Sequence, residues 1–363
     1  MRLFTARLRW AGVMGPARAK RHSNSGPAVE APATKSGARK LVAFDDAARR
    51  RGAPHRRVVG VDEAGRGPLV GPVVAAAFCL TDQSAEMPAA LDDSKKVPAA
   101  TRSAILRELF ALEASGKASI GVALAGPREI DRDNILASTL RAMERALRVF
   151  MSELGPDDLI LVDGIHVPEG LLGDDDRAEV LRKREVRAMA ARRKLERQGL
   201  PTDDAALGEI ILPPPLVPDP GRRPSVQSVT KGDATSAAIA AASVIAKETR
   251  DALMREMDGR FPGYGIAGHQ GYPTAEHRSQ LQSLGPSLAH RRTFQPLKSD
   301  FGWDWQGQWA PQAKAIDGFH EYEWGESIGW NAARLRGVAE ASCAEGGTES
   351  EEPEPPAKAP RQK

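Results

Sequence analysis

Four carboxylates stand at points where the chain changes direction: Asp62, Glu63, Asp163 and Asp233. Asp62-Glu63 closes the apolar run Val58-Val59-Gly60-Val61 and precedes the glycine-rich Ala64-Gly65-Arg66-Gly67-Pro68. Asp163 closes Leu159-Ile160-Leu161-Val162 and precedes Gly164, and Asp233 follows Lys231-Gly232 ahead of an alanine-rich stretch. A charge taken out of water is costly unless it is paired or binds a metal. Successive side chains on a strand point to opposite faces, so adjacent acids can share one site only where a strand ends. Gly65 and Gly67 supply that ending. An all-oxygen donor set with no His or Cys suits hard divalent cations. Two such ions, about 3.5–4 Å apart, can clamp the attacking and leaving oxygens of a phosphodiester during in-line displacement, and no protein nucleophile is then needed.

Each feature also has a plainer explanation. A lone Asp-Gly is usually a turn, and Asp62-Glu63 could be an ion pair with Arg66. The spacing Gly65-x-Gly67-x-x-x-Gly71 after a strand faintly resembles a dinucleotide-binding turn. Pro68 and Pro72 sit where the helix of such a turn would begin, and Val70–Leu80 is β-rich. Two acids beside a pyrophosphate would also repel it. A phosphate-binding P-loop is excluded, since no Gly-Lys-Ser/Thr closes the turn.

The elements that must hold these residues follow from hydrophobic period. Val58–Val61, Val70–Leu80 and Leu159–Val162 read as buried strands. Helices are expected over Ala99–Glu113, over Ile135–Leu154 after the cap residues Asp133-Asn134, and over Ser236–Met257. Strands alternating with helices point to an α/β sandwich with a mixed sheet, in which ligands gather at the carboxyl ends of strands.

Of the 363 residues, 41% are hydrophobic, enough for a substantial core. No run approaches the roughly 18–20 apolar residues of a membrane span. Cys79 and Cys343 lie far apart with no Cys/His cluster near either, which fits a reducing compartment rather than a disulfide scaffold or zinc site. The formal charge of +3 is unevenly spread: residues 1–57 hold 14 Lys+Arg against 3 Asp+Glu, and residues 298–363 hold 7 against 12. The overall basicity is therefore no argument for nucleic-acid binding by the core.

Residues 1–56 read as a disordered basic arm. Within them, residues 1–40 carry Glu30 as the sole acid, which is also compatible with an organellar transit peptide or an over-long start. The expected location is cytoplasmic, or the mitochondrial matrix if the arm is a transit peptide. Residues 57–297 form the expected main domain. An insertion over 166–225 carries an arginine-rich helix, with 9 Lys+Arg against 3 Glu in 177–200, and the proline-rich Leu212–Pro224; it reads as a solvated helix and linker, the alternative being a nucleic-acid contact. Residues 298–340, with Trp303, Trp305, Trp309, Trp324 and Trp330, read as a small packed appendage, and 341–363 as an acidic disordered tail.

The run Val59-Gly60-Val61-Asp62-Glu63-Ala64-Gly65-Arg66-Gly67-Pro68-Leu69-Val70-Gly71-Pro72-Val73-Val74-Ala75 resembles the signature of ribonuclease HII, the bacterial type 2 ribonuclease H. Further blocks match in order: Asp93-Ser94-Lys95-Lys96, Asn134-Ile135-Leu136, Leu161-Val162-Asp163-Gly164, Lys231-Gly232-Asp233-Ala234 and Ala240–Lys247. After them come Tyr264-Gly265, His269-Gln270-Gly271-Tyr272-Pro273-Thr274 and His290-Arg291-Arg292-Thr293-Phe294. The resemblance spans about residues 57–297 without the insertion.

It implies an RNase H-like fold: a mixed five-stranded sheet flanked by helices, with a C-terminal helical extension. It also implies a metal-dependent endonuclease that hydrolyses RNA in RNA/DNA hybrids and incises 5′ of ribonucleotides embedded in duplex DNA, leaving 3′-hydroxyl and 5′-phosphate ends. By position, Asp62, Glu63, Asp163 and Asp233 would be the catalytic acids holding two Mn2+ or Mg2+ ions. Gly65, Arg66 and Gly67 would approach the ribose, Lys95 and Lys96 would reach phosphates, and Tyr272 would stack on the deoxyribose beside the ribonucleotide. The alternative for Tyr272 is a core tyrosine. Ser243 and Lys247 would support the site, while His269 and His290 could serve structure or substrate equally. Met143, Met254 and Met257 are core fillers. No partner beyond the nucleic acid is implied, and a monomer is expected. Two departures stand out: Ile165 follows Asp163-Gly164 where the family often has Asn, and the stretch from Asp163 to Asp233 is longer than usual. Neither removes a carboxylate. A catalytically inert hybrid-binding module and a nucleotide-dependent oxidoreductase remain the competing functions.

Overall fold

The structure is a computed structural model that describes residues 35–50, 57–149, 151–197, 215–217 and 219–301. Strands β1 (Arg57–Ala64), β2 (Val73–Leu80), β3 (Ala118–Ala125), β4 (Asp158–Asp163) and β5 (Ser225–Val229) form one sheet in the order β3-β2-β1-β4-β5. β1 pairs antiparallel with β2, and β2 with β3, whereas β1–β4 and β4–β5 are parallel. The sheet is thus mixed, as expected.

Both faces of the central strands are buried, which explains why they read as continuous apolar runs rather than as alternation. Val58, Val74, Ala76 and Phe78 pack on one side with the long helix, while Val59, Val61, Val73, Ala75 and Ala77 pack on the other. Helices α1 (Lys35–Arg50) and α2 (Ala99–Ala114) come first in the chain. They are followed by α3 (Pro127–Asp133), α4 (Ile135–Leu147), α5 (Asp174–Arg197) and α6 (Ala237–Arg260). Beyond α6, helix Ala275–Leu284 and the single turns Ile266–His269 and Leu297–Asp300 form the C-terminal helical region.

Helix α6 lies against β1 so closely that a Cβ on Gly60 would stand 2.0 Å from the carbonyl carbon of Ala238. Glycine in the strand and alanine in the helix are what permit that approach. Side-chain capping starts the helix: the Ser236 hydroxyl accepts from Ile239 N at 3.2 Å. On the opposite face, Asn134 caps α4 by accepting from Leu136 N and Ala137 N. That helix is shorter than the expected Ile135–Leu154. Beyond Leu147 the chain turns, and Met151 and Leu154 fold back into the core on the α4 face of the sheet.

The basic-arm expectation for residues 1–56 fails over Lys35–Arg50, which form a helix. Ala38, Leu41 and Ala48 are buried, and the Asp45 carboxylate accepts from Ala238 N at 2.9 Å. Buried positions three, four and seven residues apart form one face of an amphipathic helix, a pattern that the high charge content obscured. Strands β3 and β5 were also absent from the expected elements. β5 (Ser-Val-Gln-Ser-Val) is a half-exposed edge with only Val229 buried, so it lacks the apolar run that marks the central strands. Of the transit-peptide reading of residues 1–40, positions 1–34 lie outside the described residues, as do positions 302–340 of the tryptophan-rich segment and the acidic tail. Helix α5 begins with Asp174, Asp175 and Asp176, which suit the positive end of the helix dipole. Among the described residues, no helix is long and apolar enough to cross a membrane.

Candidate active site

The parallel pairing of β1 with β4 stops at Val61↔Val162, so Asp62 and Asp163 are the next residues on two neighbouring strands, at their carboxyl ends. Asp62 is almost fully buried, while Glu63 and Asp163 are half-buried. Burial, then the neighbouring charges of Glu63 and Asp163, push the Asp62 carboxyl well above the usual carboxylate range. Glu63 is raised by burial against the lowering influence of Arg66, with Asp163 adding repulsion. Asp163 is raised by burial and by the Asp233 charge, against hydrogen bonds from Gly232 and Gly164. Asp163 is therefore the one acid whose charge bears on each of the other three.

Each acid is fixed by its own contacts. The Asp62 Oδ1 atom accepts from Glu63 N at 2.7 Å, and the Asp62 side chain bonds the Ser243 hydroxyl on α6. Ser243 in turn shares a 2.8 Å hydrogen bond with the buried Ser94. The Asp93-Ser94-Lys95-Lys96 turn thus buttresses the first acid through Ser94, a role the sequence motif alone did not disclose. Asp233 is buried on the single turn Gly232–Ala234, entered through Lys231 in the left-handed region (φ 57°). A Cβ at Gly232 would stand 3.1 Å from Asp163 Oδ1 and 2.5 Å from Ile239 Cδ1, so only glycine lets this turn approach the third acid so closely.

Lys95 Nζ lies 3.1 Å from Asp233 Oδ2 and also acts electrostatically on Asp62. A single ammonium therefore sits where the acids need positive charge. Among the described residues, no three His, Cys, Asp or Glu groups are drawn together into ready-made metal-ligand geometry. Acids that repel one another and share only one lysine have no cause to close further. The donor set nonetheless fits hard divalent cations: four carboxylates from three segments, three of them destabilised as anions by burial and mutual repulsion.

The remaining expected residues divide. Arg66 forms the anticipated contact with Glu63, at 3.5 Å, and is otherwise exposed. Tyr272 is 45% exposed, and its ring edge would lie 3.4 Å from a Cβ on Gly67. It belongs to the glycine-turn surface and is no core tyrosine. Lys96 pairs with Asp93 at 3.4 Å. Lys247 pairs with Asp251 at 2.6 Å, outside the four candidate acids, so Ser243 alone of that pair supports one of them. His269 Nε2 bonds the Tyr264 carbonyl at 2.8 Å, and His290 Nε2 bonds His277 Nε2 at 3.1 Å. Burial and the His277 charge push His290 down to about 3. The buried histidines hold the Tyr272 turn from beneath: His277 Nδ1 lies 2.9 Å from the Tyr272 carbonyl. The sequence reading missed His277, and it missed Arg250, which is buried beneath the glycine turn.

The ribonuclease HII family model matches residues 59–188 and 221–296 of the chain. The chain is 38% identical over 259 residues to the ribonuclease HII of Geobacter sulfurreducens, covering 71% of this chain and 90% of that relative. It is 40% identical over 238 residues to the ribonuclease HII of Moorella thermoacetica, covering 66% of this chain and 86% of that relative. Among solved structures, the ribonuclease H2 from Pyrococcus horikoshii OT3 aligns with a TM-score of 0.39 at 23% identity, over 67% of this chain and 95% of that one.

Proposed function

The chain belongs to the ribonuclease HII family, and we propose that it incises duplex DNA 5′ of embedded ribonucleotides, as well as RNA in RNA/DNA hybrids, through a two-metal site. The observation that carries this reading is the register that sets Asp62 and Asp163 at the adjoining ends of β1 and β4, with the turn that bears Asp233 bonded to Asp163 through Gly232 N at 2.6 Å. Enzymes of the family are ribonucleases H that depend on divalent metal.

In this reading Asp62, Glu63, Asp163 and Asp233 hold Mn2+ or Mg2+. The chemistry supplied by two ions, when bound, is acidification of an attacking water and neutralisation of charge on the departing 3′ oxygen. Everything else falls to the protein. Ser243 and Ser94 orient Asp62, and Gly232 N orients Asp163. Lys95, 81% exposed along its side chain and held by its 3.1 Å pair with Asp233, would present its ammonium to a phosphate oxygen of the substrate. The backbone of Gly65, Arg66 and Gly67 faces the ribose, where the 2′-hydroxyl distinguishes RNA from DNA. The exposed Tyr272 ring stacks on the adjacent deoxyribose. The expected products are 3′-hydroxyl and 5′-phosphate ends.

A duplex with a single ribonucleotide tests the reading directly. Incubated with the full chain and Mn2+ or Mg2+, it should be cut once on the 5′ side of the ribonucleotide, and chelation should stop the reaction. Cleavage that persists in chelator, or an intact duplex with both metals, would rule the reading out.

A further inference from the structure

Arg250 and Arg291 are the largest fully buried side chains, 1% and 0% exposed. Among the described residues, neither has a carboxylate at ion-pair distance. An uncompensated buried charge is expensive, so their partners matter. Arg291 donates through Nε to Gly71 O at 2.9 Å, through Nη1 to Arg66 O at 3.0 Å and through Nη2 to Gly65 O at 2.6 Å. Arg250 donates through Nε to Pro72 O at 3.2 Å and through Nη2 to Gln270 O at 3.1 Å. Every one of these acceptors is a backbone carbonyl: Arg291 takes Gly65 and Arg66 of the glycine turn together with Gly71, whereas Arg250 joins Pro72, and Val70 at 3.4 Å, to Gln270, the residue two before Tyr272. The two segments also meet directly, with Leu69 N donating to Gly271 O at 2.8 Å.

The bonding has a geometric consequence. In a trans peptide the C=O and N–H point in opposite directions. With the Gly65 and Arg66 carbonyls turned in toward Arg291, the N–H groups of Arg66 and Gly67 must face away from it. Among the described residues, neither has a backbone acceptor. Gly65 makes the turn possible: its φ is 95°, and a Cβ there would stand 2.0 Å from Arg250 Nε.

We infer that Arg250 and Arg291 are positioning residues for substrate discrimination, a clamp in two parts: buried Arg291 holds the Arg66 and Gly67 amides outward as a donor pair for a ribose hydroxyl, and buried Arg250, bridging the 70–72 segment to Gln270, sets their distance from the Tyr272 ring. The inference rests on the ribonuclease reading and adds to it the part that makes the glycine turn selective. Burial lowers Arg250 to about 10, so its charge persists at neutral pH. Lysine could keep a charge there but could not span carbonyls on two segments with a planar fork.

The test compares binding of a duplex with one ribonucleotide and the same all-DNA duplex, in metal-free buffer, for the wild type, Arg291→Lys and Arg250→Lys. A merely structural loss lowers the active fraction and leaves the ratio of the two dissociation constants alone. The clamp predicts that the ratio falls at least fivefold, with folding judged by circular dichroism. An unchanged ratio in a folded variant overturns it. If neither variant folds, the wild type decides. The 15N–1H resonances of Arg66 and Gly67 should shift with the ribonucleotide duplex and stay with the all-DNA duplex; the same response to both would overturn the clamp. A wild type that cleaves while the clamp test fails removes only this inference, whereas a wild type that cleaves nothing removes the ribonuclease reading.

Discussion

Gly232 N donates to Asp163 Oδ1 at 2.6 Å, across 69 residues of chain. That bond ties the third acid to the turn carrying the fourth, and it survives if Asp163 becomes Asn, because an amide oxygen also accepts. Asp163→Asn should therefore abolish cleavage while leaving the thermal midpoint within a few degrees of wild type or above it, since one of four mutually repelling charges is gone. Parallel cleavage and thermal-unfolding measurements check this; wild-type turnover would remove Asp163 from the mechanism.

Tyr272 presents an exposed ring on a backbone fixed by His269 and His277. Tyr272→Ala should bind Mn2+ as the wild type does yet lose about tenfold in preference for an embedded ribonucleotide over a uniform hybrid, the order expected for one stacking contact worth about 1–3 kcal/mol. Competition kinetics on the two substrates would show it, and an unaltered preference would end the assignment.

Gly60 has no room for a methyl group, since its Cβ would meet Ala238 C at 2.0 Å and Ile239 N at 2.2 Å, both backbone atoms. Pushing α6 off the sheet would cost about 3 kcal/mol and, for a domain of this size, lower the thermal midpoint by about 10 °C. The same shift moves Ser243 away from Asp62, so Gly60→Ala should lose activity beyond its loss of stability. Calorimetry and single-turnover cleavage below the variant's midpoint separate the two effects.

Asp45 is buried where α1 meets the start of α6, and burial pushes its carboxyl up to about 6. A raised acid pKa means that the folded state binds more protons than the unfolded state between about pH 4 and 6. Stability from this group is therefore present at low pH and is lost as pH rises through that window. The cost at neutral pH is about 3 kcal/mol at most. Asp45→Asn, which keeps an acceptor for Ala238 N, should melt above wild type at pH 7.5 and converge with it near pH 4. A difference in midpoint that stays constant from pH 4 to 7.5 would show that Asp45 keeps an ordinary pKa.

The chain's local chemistry already marked much of this protein. Apolar runs ending in Asp62-Glu63 and in Asp163, with glycine after each, announced strands that terminate at a site. The caps at Asn134 and Ser236 announced α4 and α6. These signals are legible because short-range backbone and hydrophobic preferences act within a few residues. β5 escaped notice because what defines it is its pairing with β4, which has no local signature, and α1 because charged residues crowd around the amphipathic face that packs near α6.

What the sequence by itself determined is the inventory: four acids at element ends, a glycine turn, and the residues able to cap or pack beside them. Only the tertiary structure decided which of them meet. It placed Asp163 among the other three acids, gave Ser94 and Ser243 to Asp62, and buried Arg250 and Arg291 under the turn that faces substrate. The physical reason is that carboxylate repulsion, hydrogen bonding to carbonyls and the cost of burying charge all depend on distance through space, and the partners in each case, Asp163 with Gly232 or Arg291 with Gly65 and Arg66, are far apart in the chain and meet only when it folds.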